Sequence, residues 1–170
     1  MPLLARTLAF NVYLNFAKEV FANPGALDAE LPSICSSVKA MCGWNYVKTA
    51  SVARERCGGM GFLSHSRFAE YLACAHTAIT AEGDNRVLMH KVVKDTVKSV
   101  MKGQKLPQPR MNVTKQIGTF DDVSSMDALI DLFRFKLIKR TEQLLGKTKE
   151  LKGLKVESYD INMYHTSELI

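Results

Sequence analysis

Apolar residues recur at helical intervals through most of this chain, whereas the two-residue alternation of a surface strand is missing. Asn-Gly and Asp-Gly, the dipeptides most typical of hairpin turns, do not occur either. The first helical segment runs from Pro2 to Ala22 and ends at Asn23-Pro24-Gly25, a strong helix breaker. Its apolar residues, spaced four apart, are Leu4, Leu8, Val12, Phe16 and Val20. These patterns predict an all-α protein with five helical segments.

A second helix is predicted from Pro32 to about Cys57. Proline is favoured in the first turn of a helix, and Gly58 is placed to take the left-handed conformation that often follows a helix end. The apolar line of this helix consists at first of Ile34, Val38 and Met41. The same line then becomes polar, at Asn45, Thr49 and Arg56. Either this end of the helix meets solvent, which is common near helix ends, or it meets a polar ligand or a subunit.

Two shorter helices follow. One spans Ser64 to about Ala75 and leads into a turn from Ile79 to Gly83. The other is capped at its start by Asp84 or Asn85 and closed by Gly103. Its buried side is expected to consist of Met89, Val93, Val97 and Val100.

A linker is predicted at residues 104–123, because prolines and scattered polar residues interrupt the helical spacing there. A fifth helix is expected to start at Ser124, with Asp127 completing a loose capping box. Its buried residues are expected to be Leu129, Leu132, Phe133, Leu137, Leu144 and Leu145. A single helix after a linker cannot bury its own apolar stripe. It must therefore dock on the preceding helices or on elements outside this chain.

Composition excludes some classes of function. An apolar share of 46% suffices for a packed core, but no apolar run approaches the roughly 18 residues of a membrane-spanning helix. We therefore expect a soluble protein with neither a signal peptide nor a membrane anchor. The four cysteines show no CxxC spacing and are expected to be reduced thiols. The histidines lack the spacing of metal ligands, so that no metal site is expected.

The formal net charge of +6 is mild. Basic residues are concentrated on the fourth helix, at Lys91, Lys94, Lys98 and Lys102. Nucleic acid or another polyanion could bind such a stripe, but aromatic residues do not interleave with the lysines. A solvated helix face is the better interpretation, and no nucleic acid partner is expected.

Glu82 is the most promising candidate for chemistry. A carboxylate beside Gly83 can be approached closely by a substrate, as a general base requires. Alternatively, Glu82 only stabilises the positive start of the helix that follows. A second unusual cluster consists of Gly58, Gly59 and Gly61. These glycines could bring backbone N–H groups to an anion, or they could simply end the second helix.

Several short sequences carry a resemblance to a known family. The strongest are Arg54-Glu55, Cys57-Gly58-Gly59-Met60-Gly61-Phe62, Thr80-Ala81-Glu82-Gly83-Asp84-Asn85 and Val87-Leu88-Met89. Supporting matches are Met1-Pro2-Leu3-Leu4-Ala5 and Leu132-Phe133-Arg134-Phe135. Together they resemble the C-terminal helical region of peroxisomal acyl-CoA oxidases, which are relatives of the acyl-CoA dehydrogenases. The resemblance covers most of residues 1–150, in order.

The resemblance implies a flavin-dependent oxidation of acyl-CoA. Glu82 would remove a proton from the carbon next to the thioester carbonyl, while FAD accepts hydride from the following carbon. Oxygen then reoxidises the flavin, and the products are trans-2-enoyl-CoA and hydrogen peroxide. The peptide N–H of Glu82 would help to hold the thioester oxygen, and Gly83 would leave room for the substrate. The cofactor-binding residues would be Gly58, Gly59, Gly61 and Asn85, with the glycines approaching a flavin held mainly by the other subunit of a homodimer.

The resemblance also implies that this chain contains only part of the family's C-terminal helical region. Residues 1–103 would form the family's C-terminal helical bundle without its first helix, and residues 124–170 would start a second helical domain after the linker. Because the family's β domain holds much of the flavin and acyl site, the 170-residue chain alone is not expected to bind FAD tightly or to oxidise acyl-CoA.

Peroxisomal location follows from the resemblance, although the C-terminal Ser167-Glu168-Leu169-Ile170 is not an address of the Ser-Lys-Leu type. Two other functions stay open. One is a non-catalytic helical interaction module derived from this bundle, and the other is an acyl-CoA dehydrogenase that passes electrons to a flavoprotein. Met60 stands where members of the family often carry histidine or another polar residue. His90 stands where they often carry glutamine.

Overall fold

A computed structural model describes residues 2–23, 25, 30–106, 108 and 125–151, with side chains described up to residue 147. Within these residues the chain is helical and contains no strand, which confirms the predicted all-α class. The α-helices are α1 Pro2–Ala22, α2 Leu31–Arg56, α3 Phe68–Thr80, α4 Asn85–Met101 and α5 Met126–Leu151, with 3-10 helices at Gly58–Phe62 and Ser64–Ser66. The described residues form two compact units, one up to Val92 and the other from Val93 onwards.

Helix α1 has the predicted bounds, but most of its apolar line does not pack within the first unit. Leu4, Leu8 and Val12 are 58%, 56% and 69% exposed, whereas Val20 is buried. Each four-residue step turns a side chain by about 40° around a helix with 3.6 residues per turn, so that the line from Leu4 to Val20 sweeps through about 160°. We call Leu4, Leu8, Val12 and Phe16 the exposed α1 face.

Helix α2 is the centre of the first unit and packs against both α1 and α3. Pro32 lies in its first turn, as predicted. Its last turn is closed by the Cys57 N–H, which donates to the Ala53 carbonyl at 3.2 Å. Gly58 then adopts φ +56°, and this confirms the predicted left-handed residue after the helix.

The prediction of a helix beginning at Ser64 is wrong. Residues Ser64–Ser66 form a 3-10 turn, and Arg67 adopts φ +59°, which interrupts the helical path before α3 begins at Phe68. The guanidinium of Arg67 donates to Glu70 Oε2 at 2.9 and 2.7 Å across the first turn of α3. Helix α3 then continues to Thr80, so the predicted turn from Ile79 is shorter and spans residues 81–83.

Helix α4 is capped as predicted. The N–H groups of Arg86 and Val87 donate to Asp84 Oδ1 at 2.9 and 3.3 Å, and Gly103 follows the helix with φ +91°. Val93 and Val97 are buried, and Met89 and Val100 are half-buried. The lysines of the stripe are all exposed, as expected of a solvated face: Lys91, Lys94, Lys98 and Lys102. In the described part of the chain, no helix has the length and apolar character needed to cross a bilayer.

Helix α5 begins two residues later than predicted. Its cap is Ser125, whose Oγ accepts the Ala128 N–H at 3.1 Å, in place of the predicted capping box. Leu144 packs against Val93 and Val97 in the second unit. Phe133, predicted to be buried, is 67% exposed, because this side of α5 has no described partner. The predicted linker lies mostly outside the described residues, and the predicted domain boundaries stay a prediction.

Candidate active site around Glu82

Glu82 lies in a tight turn between α3 and α4. The turn begins after Thr80, where the Ala81 N–H donates to the Thr77 carbonyl at 2.9 Å. Glu82 and Gly83 then both adopt left-handed conformations, with φ +57° and +100°. Glycine adopts this conformation freely, but it costs a glutamate about 1–2 kcal/mol. Surrounding contacts must therefore hold Glu82 in place.

Those contacts come from Lys39 on α2. Its Nζ donates to the Gly83 carbonyl at 2.5 Å and to Asn85 Oδ1 at 2.8 Å. Asn85, which is 1% exposed, donates in turn from Nδ2 to the Ala40 carbonyl at 3.0 Å. We call Lys39, Ala40, Gly83 and Asn85 the loop network, because its three hydrogen bonds tie the Glu82 turn to α2.

Gly43 makes room for the loop network. A Cβ at this position would lie 2.9 Å from Asn85 Nδ2 and 3.3 Å from the Ala78 carbonyl. Any other residue would therefore push Asn85 or α3 away from α2. Neither Gly43 nor Lys39 is part of a recognisable sequence motif, although the two lie four residues apart on one helix face.

A cleft of about 570 Å³ opens beside the Glu82 turn. Its volume is within the range of small-molecule sites. Apolar side chains from α1, α2 and α3 dominate its wall, and Glu82 is the carboxylate among the residues that line it. Lys39 contributes the positive charge. Burial raises the pKa of the Cys42 thiol on the same wall, which keeps that side chain neutral. The cleft can thus hold an apolar chain next to one carboxylate.

The structure brings together Glu82, Gly83 and Asn85, but it separates them from the glycine cluster. Gly58, Gly59 and Gly61 follow the far end of α2, and none of them lines the Glu82 cleft. From Gly43 to Cys57, α2 alone spans roughly 21 Å at 1.5 Å per residue. Within one chain, the glycines and Glu82 therefore belong to different surfaces.

The three glycines differ in their surroundings. A Cβ at Gly58 or Gly59 would meet no atom within 4 Å, whereas a Cβ at Gly61 would collide with the Arg54 carbonyl and lie 3.2 Å from Cys57 Cβ. Gly58 and Gly59 are thus open to an approaching molecule. Gly61 is buried and packs the turn against α2.

This difference predicts opposite results for two alanine variants. We expect Gly61→Ala to lower the free energy of unfolding of the chain by about 1–3 kcal/mol, because its new methyl group would overlap a backbone carbonyl that cannot move aside. Gly59→Ala is the matched control and should change stability by less than about 0.5 kcal/mol. Urea unfolding followed by circular dichroism measures both. Equal stability of the two variants would contradict the assigned packing role of Gly61.

Neither Met60 nor His90 lines the Glu82 cleft. Met60 is exposed on the glycine turn, and the buried Nε2 of His90 has no hydrogen-bond partner among the described residues. In the same part of the chain, no three His, Cys, Asp or Glu side chains gather as a metal site would require.

Comparison with known proteins gives the family. The model of the "Acyl-CoA oxidase, C-alpha1 domain" family matches residues 1–97. Acyl-coenzyme A oxidase 2, peroxisomal, of Arabidopsis thaliana is 32% identical over 103 residues, which cover 58% of this chain and 15% of the relative. The acyl-coenzyme A oxidase acox-1.4 of Caenorhabditis elegans is 27% identical over 172 aligned positions, which cover 88% of this chain and 26% of the relative. No solved structure matches significantly.

The matched segment includes the Glu82 turn, Lys39, Gly43 and the glycine cluster. The chain spans between 15% and 26% of the length of these two relatives. Because the family model covers more than half of its residues, the chain belongs to the acyl-CoA oxidase family and contains that family's C-alpha1 domain.

Proposed function

We propose that this chain supplies the proton-abstracting part of an acyl-CoA oxidase active site, with Glu82 as the general base. One observation carries the proposal. Glu82 is the carboxylate of an apolar cleft of about 570 Å³, held there in a left-handed turn by Lys39 and Asn85. The hydrogen bonds from Lys39 hold the backbone of this turn, which keeps Glu82 beside the cleft before the substrate arrives.

In the proposed reaction, the Glu82 carboxylate takes a proton from the carbon next to the thioester carbonyl, and the acyl chain lies against the apolar wall. Gly83 has no side chain to obstruct the thioester, and the peptide N–H of Glu82 is the donor for negative charge that develops on the thioester oxygen. FAD, when bound, supplies the hydride acceptor and the means of reducing oxygen. The products are trans-2-enoyl-CoA and hydrogen peroxide.

Gly58 and Gly59 fit a role in holding FAD. Their surroundings are open, and their missing side chains allow a flavin nucleotide to approach the backbone. Asn85 is different, because its amide is buried and bonded to Lys39 and Ala40. Its described contacts support an anchoring role for the Glu82 turn, and its contact with flavin stays a prediction.

We also propose that the complete oxidase is a homodimer in the peroxisome. The exposed α1 face supports the homodimer, because a row of large apolar side chains is rarely left in contact with solvent. Relatives from Arabidopsis thaliana are named as peroxisomal enzymes, which supports the location.

An assay of the complete enzyme tests the function. In air, the protein that contains this segment should produce hydrogen peroxide and trans-2-enoyl-CoA in equal amounts from a saturated acyl-CoA. An acyl-CoA dehydrogenase would instead give product only when an electron-accepting flavoprotein is added. A protein that neither binds FAD nor consumes acyl-CoA would contradict the proposal and favour an interaction module.

A further inference from the structure

A second cleft, of about 330 Å³, lies between α1 and α2 in the first unit. Three residues line both this cleft and the Glu82 cleft, namely Leu14, Cys42 and Tyr46. The two clefts are therefore adjoining parts of one groove, and the shared residues form the junction between them. We call the second cleft the distal cleft, because neither Glu82 nor Lys39 lines it.

Helix α2 forms one continuous side of the groove. Its lining residues at steps of three and four, which share one helix face, are Lys39, Cys42, Tyr46 and Thr49. Lys39 lies beside the Glu82 turn, whose backbone accepts a hydrogen bond from its Nζ. From Lys39 to Thr49, α2 rises by roughly 15 Å at 1.5 Å per residue. The groove thus extends from the Glu82 turn over a distance close to the length of an extended dodecanoyl chain.

The distal cleft presents mainly apolar and aromatic surface. Phe10 and Leu14 line it from α1 and Tyr46 lines it from α2, and none of its lining side chains carries a formal charge. The amide oxygen of Asn45 and the hydroxyl oxygen of Thr49 are buried, so that these polar atoms do not face an occupant. A saturated hydrocarbon chain can therefore lie in the distal cleft without meeting a charge, whereas a charged group would find no partner there.

We propose that the distal cleft binds the far end of a long acyl chain whose thioester end lies at Glu82. The acyl chain passes Cys42 at the junction and ends against Phe10. This groove makes the oxidase prefer long-chain to short-chain acyl-CoA, and the junction residues set that preference. The inference rests on the proposed function of Glu82, because it extends the acyl site of the same reaction.

The length of the acyl chain decides how much of the groove is filled. A hexanoyl chain that starts at Glu82 ends before the distal cleft, whereas a dodecanoyl chain enters it. Each methylene group that a protein buries completely improves binding about fourfold. Binding energy from a part of the substrate that does not react raises kcat/KM. The ratio of kcat/KM for dodecanoyl-CoA to that for hexanoyl-CoA, which we call the chain-length ratio, therefore reports on the distal cleft.

Cys42→Phe in the complete oxidase tests the proposal. The added aromatic ring fills the junction, so that a long chain can no longer pass into the distal cleft. We expect the chain-length ratio to fall at least about tenfold, which is the contribution of about two buried methylene groups. Cys74→Phe is the matched control, because Cys74 is exposed on α3 and lines neither cleft; its ratio should equal that of the unmodified enzyme.

A second variant removes part of the wall instead of blocking the junction. Phe10→Ala takes away the aromatic surface at the end of the groove, and we expect the chain-length ratio to fall about fourfold, the contribution of one buried methylene group. Phe21→Ala is its control, because Phe21 is 74% exposed on the same helix and lines neither cleft. The absorbance of bound flavin shows in each case that the variant protein is folded.

The possible outcomes separate this proposal from the assignment of Glu82. An active enzyme whose folded Cys42→Phe and Phe10→Ala variants keep the original chain-length ratio would overturn the role of the distal cleft alone, and another part of the oxidase would then cover that cleft. Equal kcat/KM values for the two substrates in the unmodified enzyme would overturn it as well. If the unmodified enzyme oxidised neither substrate, both proposals would fall.

Discussion

Glu82→Gln is expected to lower acyl-CoA turnover by about 10²- to 10⁴-fold in the oxidase that contains this segment, the range that a general base contributes. A neutral amide cannot take up the proton from the substrate carbon. Its shape matches that of glutamate, and the hydrogen bond from Lys39 goes to the Gly83 backbone carbonyl, which the variant keeps. The fold and the bound flavin should thus survive. The rate at which hydrogen peroxide is released gives kcat, and the absorbance of the bound flavin shows that the variant protein is intact.

The matched control is Glu70→Gln on α3. Glu70 is exposed, pairs with Arg67 at 2.7 Å and does not line the Glu82 cleft. An exposed pair of this kind stabilises a protein by less than about 1 kcal/mol. We therefore expect Glu70→Gln to turn over acyl-CoA at the unmodified rate. Full activity of Glu82→Gln, or an equal loss in both variants, would contradict the assignment of Glu82 as the base.

Asn85→Ala is expected to lower the free energy of unfolding of the chain by about 2–3 kcal/mol. The change removes two hydrogen bonds of the loop network, one of them with the Lys39 ammonium. A hydrogen bond between neutral groups contributes about 0.5–1.5 kcal/mol to stability, and one with a charged group contributes about 1.5–3 kcal/mol. Equilibrium unfolding in urea measures the change.

Asn23→Ala provides the control for this prediction, since the exposed Asn23 amide donates to the Glu19 carbonyl at the end of α1. It should change stability by less than about 0.5 kcal/mol. The double variant Lys39→Met with Asn85→Ala should lose less stability than the sum of the two single variants, because both remove the same hydrogen bond. Additive losses would indicate that Lys39 and Asn85 act independently and that the loop network is not a unit.

Local sequence signals predicted much of the fold. The C-terminal end of α1 follows from Asn23-Pro24-Gly25, and the start of α4 follows from Asp84, whose carboxylate accepts N–H groups of the first turn. Gly58 ends α2 in the conformation that its position indicated. Each of these features depends on residues within one or two helical turns, which is the range over which periodicity and capping rules operate.

The features that sequence reasoning missed depend on contacts between distant residues. Lys39 and the Gly83 carbonyl are 44 positions apart, and no local pattern links them. Arg67 gave no signal of a left-handed conformation, so α3 was expected to begin too early. The polar line of α2 was expected to meet either solvent or a polar ligand or subunit, but at Asn45 it meets α1, where the side chain is buried and donates to Thr7 Oγ1.

The 160° sweep of apolar side chains around α1 has a practical consequence for protein engineering. The buried residues near the C-terminal end of α1, Ala17 and Val20, are not those of the exposed α1 face. The two sets can therefore be altered separately. Polar replacements at Leu4, Leu8 and Val12 are expected to make the isolated chain less prone to self-association while leaving the buried residues of α1 unchanged.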